Sequence, residues 1–421
     1  MGSYADCWLG KFLVISTKNH FLFSELFLSS DKKIITSSKN DLPEQLISWI
    51  ENMEEVEEEL FNEEVEEEPL NIVFYSAPTK LIKDRLELFG YSLENSLNIL
   101  HRTSEDLWRL VLQEIQNKKD NHHNYDEDEN SSLAYMLRDN EYAFLGLDIN
   151  VVLRLGIEIL SENNEFIYNI TDLVIGGWVG LNDNLDENED DFFSSEYSSN
   201  KKIIVLTEGK SDALFLSKSL QLLYPHLFNC FSFIDFDGAR VNGGAGSLAN
   251  MVKSFSGAGI VNKIIAVFDN DTAAMAALKP LKKAKVSANI KIITLPDIDV
   301  LNNYPTLDPS GMVLMNMNVN GLAGSIEMYF GRDALCDDQG KFIPIKWTSY
   351  ESSLEQYQGE IIGKDTVQKK FRRQLEMCTN DYSLIESFDW SGIKAIFEIF
   401  FTVFHEDDGK RLLFWNEALD S

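Results

Sequence analysis

The sequence has few cysteines, and they are far apart. Cys7, Cys230, Cys336 and Cys378 are the only four in 421 residues. They form neither a CxxC zinc pair nor the dense pattern of a disulfide framework. We therefore expect a reduced, cytoplasmic protein, in which Cys7 is a buried small apolar residue and not a nucleophile.

Long apolar runs are also missing. The stretch Ile393–Phe404 spans about twelve residues and contains Glu398, whereas a membrane-spanning helix needs roughly 20 apolar residues. The opening MGSYAD lacks the basic region and apolar core of a secretory signal. We expect no insertion into a membrane and no membrane partner.

Basic residues are scarce overall: 37 Lys and Arg stand against 68 Asp and Glu, a net charge of −31. This balance argues against binding nucleic acid through the whole surface. Residues 201–331, however, hold 12 basic and 10 acidic residues, so the acidic excess lies elsewhere in the chain. Nucleic acid would then reach a local basic face, for which there are two candidate flanks: Lys279, Lys282, Lys283 and Lys285, or Lys369, Lys370, Arg372 and Arg373.

An ATP-binding P-loop is absent as well. Gly209-Lys-Ser211 resembles the end of a Walker A motif, but that motif needs a glycine five residues before Gly209, where Ile204 stands. No other GxxxxGK[ST] pattern occurs in the chain.

The length suggests two or three domains. Residues 182–200 are acidic, rich in Ser and Asn and without hydrophobic period, which is typical of a linker. We predict an α+β accessory domain over residues 1–181, a catalytic domain over 201–331 and a mostly helical C-terminal region over 332–421. Within the first domain we predict a strand in Ser3–Ile15 and a region rich in strand over Ala143–Val179.

After Lys201 short apolar strands alternate with helices of ten to fifteen residues. The predicted strands are Ile203–Leu206, Phe231–Ile234, Ile264–Phe268 and Ile290–Leu295. This alternation predicts an α/β fold with a parallel sheet covered by helices on both faces. Ligands of such sheets lie beyond the carboxyl ends of the strands.

Acidic residues stand at those ends. Glu208 follows the first strand, and Asp269 and Asp271 follow the third, two apart and so on one side of an extended chain. Carboxylates gathered there would repel one another unless cations neutralise them, and oxygen ligands suit Mg²⁺ or Mn²⁺.

Each of these residues also has a purely structural interpretation. Asp-Asn-Asp favours a turn, and a carboxylate at Glu208 or Asp212 can cap a helix. Asp235 and Asp237 form a second Asp-x-Asp, for which a turn or rim position is favoured over the metal site. The glycine-rich turn after them could bind a phosphate through its backbone N–H groups, but a plain flexible loop is favoured.

Glu208-Gly-Lys-Ser-Asp212 and Val267-Phe-Asp-Asn-Asp271, in this order and after apolar strands, resemble the two signature motifs of the Toprim domain. Topoisomerases, bacterial primases and OLD-type nucleases share this Rossmann-like domain. The resemblance covers roughly residues 201–331. The opening MGSYAD together with this segment is similar to bacterial proteins grouped as HEPN/Toprim-associated, which are linked with defence against phage.

The resemblance to OLD-like nucleases implies a set of residue roles. The implied ligands of one or two Mg²⁺ or Mn²⁺ ions are Glu208, Asp212, Asp269, Asp271 and Glu327. Glu208 would also be a general base. A lysine that stabilises the developing phosphorane charge is assigned to Lys364, with Lys346 and Lys369 as competitors; a surface position remains the alternative for Glu327.

The function that this resemblance implies is metal-dependent hydrolysis of phosphodiester bonds in DNA or RNA, in antiviral defence. Two alternatives stay open: a catalytically silent or partner-gated subunit that binds nucleic acid, and chemistry of the primase or topoisomerase type. OLD-type enzymes commonly carry or pair with an ATPase, so the missing P-loop implies a separate ATPase partner or no control by ATP. A homo-oligomer is compatible with the sequence.

Overall fold

The computed structural model describes residues 3–18, 23, 26–36, 42–61, 71–121, 131–141, 146–160, 164–184, 202–236 and 242–410. The chain divides into two compact units. The first unit comprises residues 1–199 and 404–421, and the second unit comprises residues 200–403. Most of the predicted linker 182–200 lies outside the described residues, and the predicted domain boundaries stay predictions.

The first unit is built on an antiparallel sheet of five strands. Its strands are β1 (Tyr4–Leu9), β2 (Phe12–Lys18), β3 (Lys32–Thr36), β4 (Asn71–Pro78) and β5 (Glu165–Asn169). Their order across the sheet is β2-β1-β5-β4-β3. Cys7 lies on β1 and is completely buried, and burial with the neighbouring Asp6 charge raises the pKa of its thiol well above the ordinary value, as suits an inert core residue.

Helices make up most of the rest of the first unit. They are α1 (Glu44–Phe61), α2 (Thr79–Leu88), α3 (Leu93–Thr103), α4 (Glu105–Asn121), α5 (Ser132–Glu141), α6 (Ile149–Ile159) and α7 (Thr171–Ile175). Asn95 on α3 donates its side-chain N–H to the carbonyl of His405 at 3.1 Å, so residues from the end of the chain pack in this unit.

The prediction of a region rich in strand over residues 143–179 is wrong for much of its length, because α6 occupies its centre. Asp148 begins this helix by accepting the Asn150 N–H at 2.9 Å. The helix is buried, and its sequence fits two patterns: the polar residues Asn150, Arg154 and Glu158 recur every four positions as in a helix, while apolar residues stand at every second position from Leu153 to Ile159 as in a strand. Its one cation, Arg154, is 1% exposed and is neutralised by Glu87 and Glu158, at 2.6 and 2.7 Å.

The second unit contains the predicted parallel sheet. Its strands are β6 (Ile203–Thr207), β7 (Phe231–Phe233), β8 (Ile264–Phe268) and, after a two-residue β9 (Asn270–Asp271), β10 (Ile290–Thr294). All pairings in the order β10-β8-β6-β7 are parallel. The four predicted strands and the mixed α/β class are therefore confirmed.

Helices follow these strands and cover the sheet. They are α8 (Lys210–Leu223), α9 (Pro225–Phe228), α10 (Ala245–Gly257) and α11 (Thr272–Leu281). Side chains of α10 and α11 form one core with alternate residues of β8, among them Ala266 and Phe268. The residues between them, Ile265 and Val267, point to the other face and are also buried, so both faces of the sheet are covered.

The remaining strands and helices of the second unit follow the parallel sheet in the chain. They are β11 (Tyr304–Leu307), β12 (Leu314–Met317), β13 (Ala323–Gly324), α12 (Arg332–Leu335), β14 (Ile345–Glu351), β15 (Gln356–Ile361), α13 (Lys364–Asn380) and α14 (Ser391–Thr402). Strands in the order β12-β11-β14-β15 form a second sheet, and β13 pairs with β9. The predicted helical C-terminal region thus also contains an unpredicted hairpin, β14–β15. None of the helices within the described ranges is long and apolar enough to cross a membrane.

Gly331, immediately before α12, tests how tightly the second unit is packed. Its φ is +81°, and a Cβ there would lie 2.0 Å from the backbone oxygen of Asp389. We expect Gly331→Ala to lower the free energy of unfolding by at least about 2 kcal/mol, because it adds a backbone clash to left-handed strain.

Gly340→Ala is the matched control, since Gly340 has a φ of +76° but open space around it. This substitution should lower the free energy of unfolding only by the cost of the positive φ, about 1 kcal/mol. Urea unfolding measures both, and equal losses would contradict the close approach.

Candidate functional site

Two of the predicted acidic residues meet because their strands are neighbours. β6 and β8 pair in parallel, with Thr207 opposite Val267, so Glu208 and Asp269 leave the same edge of the sheet. The Asp269 backbone N–H donates to Glu208 Oε1 at 2.9 Å. This contact joins residues 61 positions apart in the sequence.

Asp271 lies on the same edge, in the extended segment β9. Its side chain caps α11: Oδ1 accepts the Ala274 N–H at 2.8 Å, and Oδ2 accepts the side-chain N–H of Gln358 at 2.6 Å. Asn270, between the two aspartates, bonds Asp297 instead, at 2.7 Å. The structural role as helix cap therefore coexists with a place in the acidic cluster.

Asp212 stands on the first turn of α8. One of its oxygens accepts the Gly209 N–H at 2.8 Å, and the other accepts the Ser211 hydroxyl at 3.2 Å. This also is a capping arrangement, and it aims the carboxylate at the loop that carries Glu208.

Glu327 is not a surface residue. It lies on the 3-10 turn Ile326–Tyr329 and is 0% exposed. Its oxygens take the Ser325 hydroxyl at 2.7 Å, the Gln368 side-chain N–H at 2.6 Å and the Lys364 ammonium at 3.2 Å. A buried carboxylate is stable only when it is compensated in this way.

Lys364 is the one of the three candidate lysines that contacts the acidic residues. It is the first residue of α13, and its ammonium faces Glu327. Lys346 instead forms a loose exposed pair with Glu360 at 3.7 Å, and Lys369 is exposed.

Of the second Asp-x-Asp pattern, Asp235 is exposed and Asp237 lies outside the described residues. In the glycine-rich turn, the Gly244 N–H donates to the Glu208 carbonyl at 2.6 Å. A Cβ on Gly243 would come within 3.0 Å of that carbonyl oxygen, so this turn supports the backbone of the site.

Burial and mutual repulsion raise the pKa values of three of these carboxyls, those of Glu208, Asp212 and Asp269. Burial, followed by the charges of Asp271 and Asp212, raises the pKa of Glu208 to about 7. Burial, followed by the Glu327 charge, raises the pKa of Asp212 to about 6. These shifts show that the five carboxylates act on one another electrostatically.

Asp269 is the least compensated of the five. Its carboxylate accepts no hydrogen bond from the described residues, and burial together with the charges of the other four raises its pKa well above the ordinary value. Burial would lower the pKa of the Lys364 ammonium, but the carboxylates, Glu327 first, outweigh it and raise that pKa. One cation thus faces five acids, which leaves an excess of negative charge.

The donor set fits a hard divalent cation, because every potential ligand is a carboxylate oxygen and negative charge exceeds positive charge among the described residues of the site. The carboxylate oxygens are not arranged to hold a cation as they stand. Within the described part of the chain, no three Asp, Glu, His or Cys side chains are placed so that they could bind one metal ion together. Four of the five carboxylates instead accept hydrogen bonds from nearby protein groups. Binding a cation between them requires these side chains to turn away from those donors.

Gln358, Gln368 and Ser325 hold Asp271 and Glu327 in place, and sequence reasoning missed all three. Gln358 is 87 residues from its partner, and Gln368 is 41 residues from Glu327. Neutral amides and hydroxyls carry no charge pattern or motif, so no sequence signal could have identified them.

Residues 1–192 match the family model described as HEPN/Toprim N-terminal domain 1. This match supports an association with HEPN/Toprim proteins, and it covers less than half of the chain and none of the acidic cluster. Neither the curated protein sequences nor the solved structures gave a match to the chain.

Asp269→Asn tests the repulsion directly. Removing the uncompensated charge should raise the melting temperature in metal-free buffer at about pH 8 by roughly 2–4 °C, the effect of about 1 kcal/mol in a unit of this size. Millimolar Mg²⁺ should then stabilise the wild type but not the variant. Calorimetry with Asp299→Asn, an exposed acid outside the cluster, provides the control, and a lower melting temperature for Asp269→Asn would contradict the repulsion.

The effect of Mg²⁺ should also depend on pH. The pKa values of Glu208 and Asp212, about 7 and about 6, lie above the ordinary values of 4.5 and 3.8. Their contribution to stability is therefore complete below the ordinary values and is lost as pH rises through about 6 to 7. Since protons compete with the cation, the Mg²⁺-induced rise in melting temperature should be larger at about pH 8 than at about pH 5; a rise independent of pH would contradict this.

Proposed function

We propose that the second unit is a Toprim-type, divalent-metal-dependent nuclease that hydrolyses phosphodiester bonds. The observation that supports this most is the cluster itself. Glu208, Asp212, Asp269, Asp271 and Glu327 come from separate segments to one edge of a parallel sheet. Sites for phosphoryl transfer occupy this position in α/β folds and use such ligands.

In this proposal the ligands of the cation are Glu208, Asp212, Asp269, Asp271 and Glu327. A bound Mg²⁺ or Mn²⁺ ion, or a pair of them, would polarise the phosphodiester and lower the pKa of water. Glu208, with a pKa of about 7, is suited to accept a proton from the attacking water near neutral pH. Lys364 presents its ammonium to the negative charge that develops on the phosphoryl oxygens.

The match of residues 1–192 agrees with this proposal, because the family description joins that region to the HEPN/Toprim name. It hints at a nuclease-like or defence-associated protein. A role in defence against phage, and a separate ATPase partner, belong to the proposal and rest on the resemblance of the motifs.

A partner-gated subunit that binds nucleic acid is the second candidate, and one observation favours it. Four carboxylates are engaged by local donors, and Glu327 is held by an ammonium, an amide and a hydroxyl. A site arranged in this way would load metal only when these contacts open. Such a protein would bind Mg²⁺ and nucleic acid without cutting.

Cleavage assays distinguish the two. The full chain is incubated with plasmid DNA, single-stranded DNA and tRNA in Mg²⁺ or Mn²⁺. A nuclease should lose roughly 100-fold or more of its rate in Glu208→Gln and in Asp269→Asn, because each variant removes a carboxylate that holds the cation or accepts a proton.

Asp299→Asn is the matched control and should retain the wild-type rate. Equal cleavage by wild type, Glu208→Gln and Asp269→Asn would refute the site. Metal binding without cleavage of any substrate would favour the partner-gated subunit.

A further inference from the structure

The hairpin β14–β15 exposes two tyrosine rings that face each other. Tyr350 and Tyr357 form a cross-strand pair, with ring centroids 5.0 Å apart. The rings are 54% and 47% exposed, so the pair contributes little to a core. Trp347 lies on the same face of the hairpin, with its ring 6.4 Å from that of Tyr357.

This hairpin is attached to the acidic cluster by its second strand. The backbone carbonyl of Tyr357 accepts the Thr272 hydroxyl at 2.8 Å. The next residue, Gln358, donates to Asp271 at 2.6 Å and accepts the Ala273 N–H at 2.9 Å. Tyr357 is therefore carried on the strand that orients one of the proposed ligands, and Tyr350 lies on the neighbouring strand of the hairpin.

The same hairpin meets the first of the two basic flanks. Lys279 on α11 donates its ammonium to the Ser353 carbonyl, in the turn of the hairpin, at 2.5 Å. Lys282, Lys283 and Lys285 follow within six residues and are exposed. In a chain with a net charge of −31, these four lysines form a local basic surface, which reaches the hairpin at Lys279.

We propose that the hairpin β14–β15 is a stacking platform for unpaired bases, and that it binds a single-stranded segment of nucleic acid next to the acidic cluster. This inference rests on the proposed function for its choice of substrate. Aromatic rings accept bases of any sequence by stacking, and lysines hold the phosphates between them. Bases in a duplex are already stacked on one another and do not present their faces.

Two features favour nucleic acid over a protein partner at this face. Apart from Tyr350, Tyr357 and Trp347, the side chains that the two strands of the hairpin expose are polar or charged, so its aromatic surface is small. The nearby lysines add positive charge, which complements phosphates. DNA and RNA offer the same stacking chemistry, so both are tested.

Binding without cleavage tests the platform. Fluorescence anisotropy is recorded for the full chain with labelled oligo(dT), oligo(U) and a duplex of the same length, in EDTA. The wild type should prefer the single strands. The double variant Tyr350→Ala/Tyr357→Ala should weaken that binding by about 10- to 100-fold, from the usual contribution of base stacking.

Two controls separate stacking from folding. The double variant Tyr350→Phe/Tyr357→Phe keeps the rings and should bind as the wild type does. Tyr382→Ala removes another exposed tyrosine, on a turn away from the hairpin, and should leave affinity unchanged. Circular dichroism verifies that each variant is folded.

Several outcomes would overturn the platform: equal affinity of the alanine double variant, loss of affinity in the phenylalanine variant as well, or binding of the duplex alone. Self-association that disappears in the alanine variant while oligonucleotide binding persists would instead assign this face to a protein contact. Because the assay needs no cleavage, tyrosine-dependent binding by a protein that cuts nothing would refute the nuclease and keep the platform. Cleavage by a protein whose binding does not depend on the two tyrosines would support the nuclease and refute the platform.

Discussion

Repulsion among five carboxylates is the constraint around which the second unit is organised. They lie where the carboxyl ends of two adjacent parallel strands meet, and burial strengthens every interaction between them. The fold opposes this repulsion with helix N-termini, backbone N–H groups, two glutamine amides and one ammonium. Among the described residues none donates a hydrogen bond to the Asp269 carboxylate, and the charges of the other four acids act on it together.

The protein groups around the five carboxylates neutralise their negative charge only in part, which would favour the binding of a cation. Asp212 and Asp271 cap helices, so they would have structural roles in a protein without any activity. Glu327 would not be buried completely for that purpose, since a neutral residue would fill its place at lower cost. Lys364 neutralises only one of the five charges. The arrangement is therefore costly for stability alone, which agrees with the function proposed for this site.

Charge is unevenly distributed along the chain. The net charge of −31 argues against general affinity for nucleic acid, yet the segment that carries all five acids of the cluster has slightly more basic than acidic residues. Its lysines Lys279, Lys282, Lys283 and Lys285 are exposed, and Lys279 contacts the tyrosine hairpin. This local basic surface would attract a polyanionic substrate that the net charge of the chain repels.

Sequence reasoning predicted the four parallel strands within one residue at each end, because short apolar runs between amphipathic helices have few alternative folds. It also named all five carboxylates and Lys364, the strand-end acids from their pattern and the others from a family resemblance. It failed at α6, where polar residues recur every four positions as in a helix but apolar residues also stand at every second position from Leu153 to Ile159 as in a strand. It failed again at the hairpin β14–β15, whose alternating residues are mostly polar and exposed.

The sequence by itself determined which edge of the sheet is acidic, since a carboxylate that directly follows a parallel strand must lie at that strand's carboxyl end. Only the tertiary structure decided that Glu327 is buried, that Lys364 rather than Lys346 faces it, and that Gln358 orients Asp271. The reason is distance along the chain. These contacts join segments 37 to 87 residues apart, and packing of the whole unit brings them together, whereas local pattern acts over only a few residues.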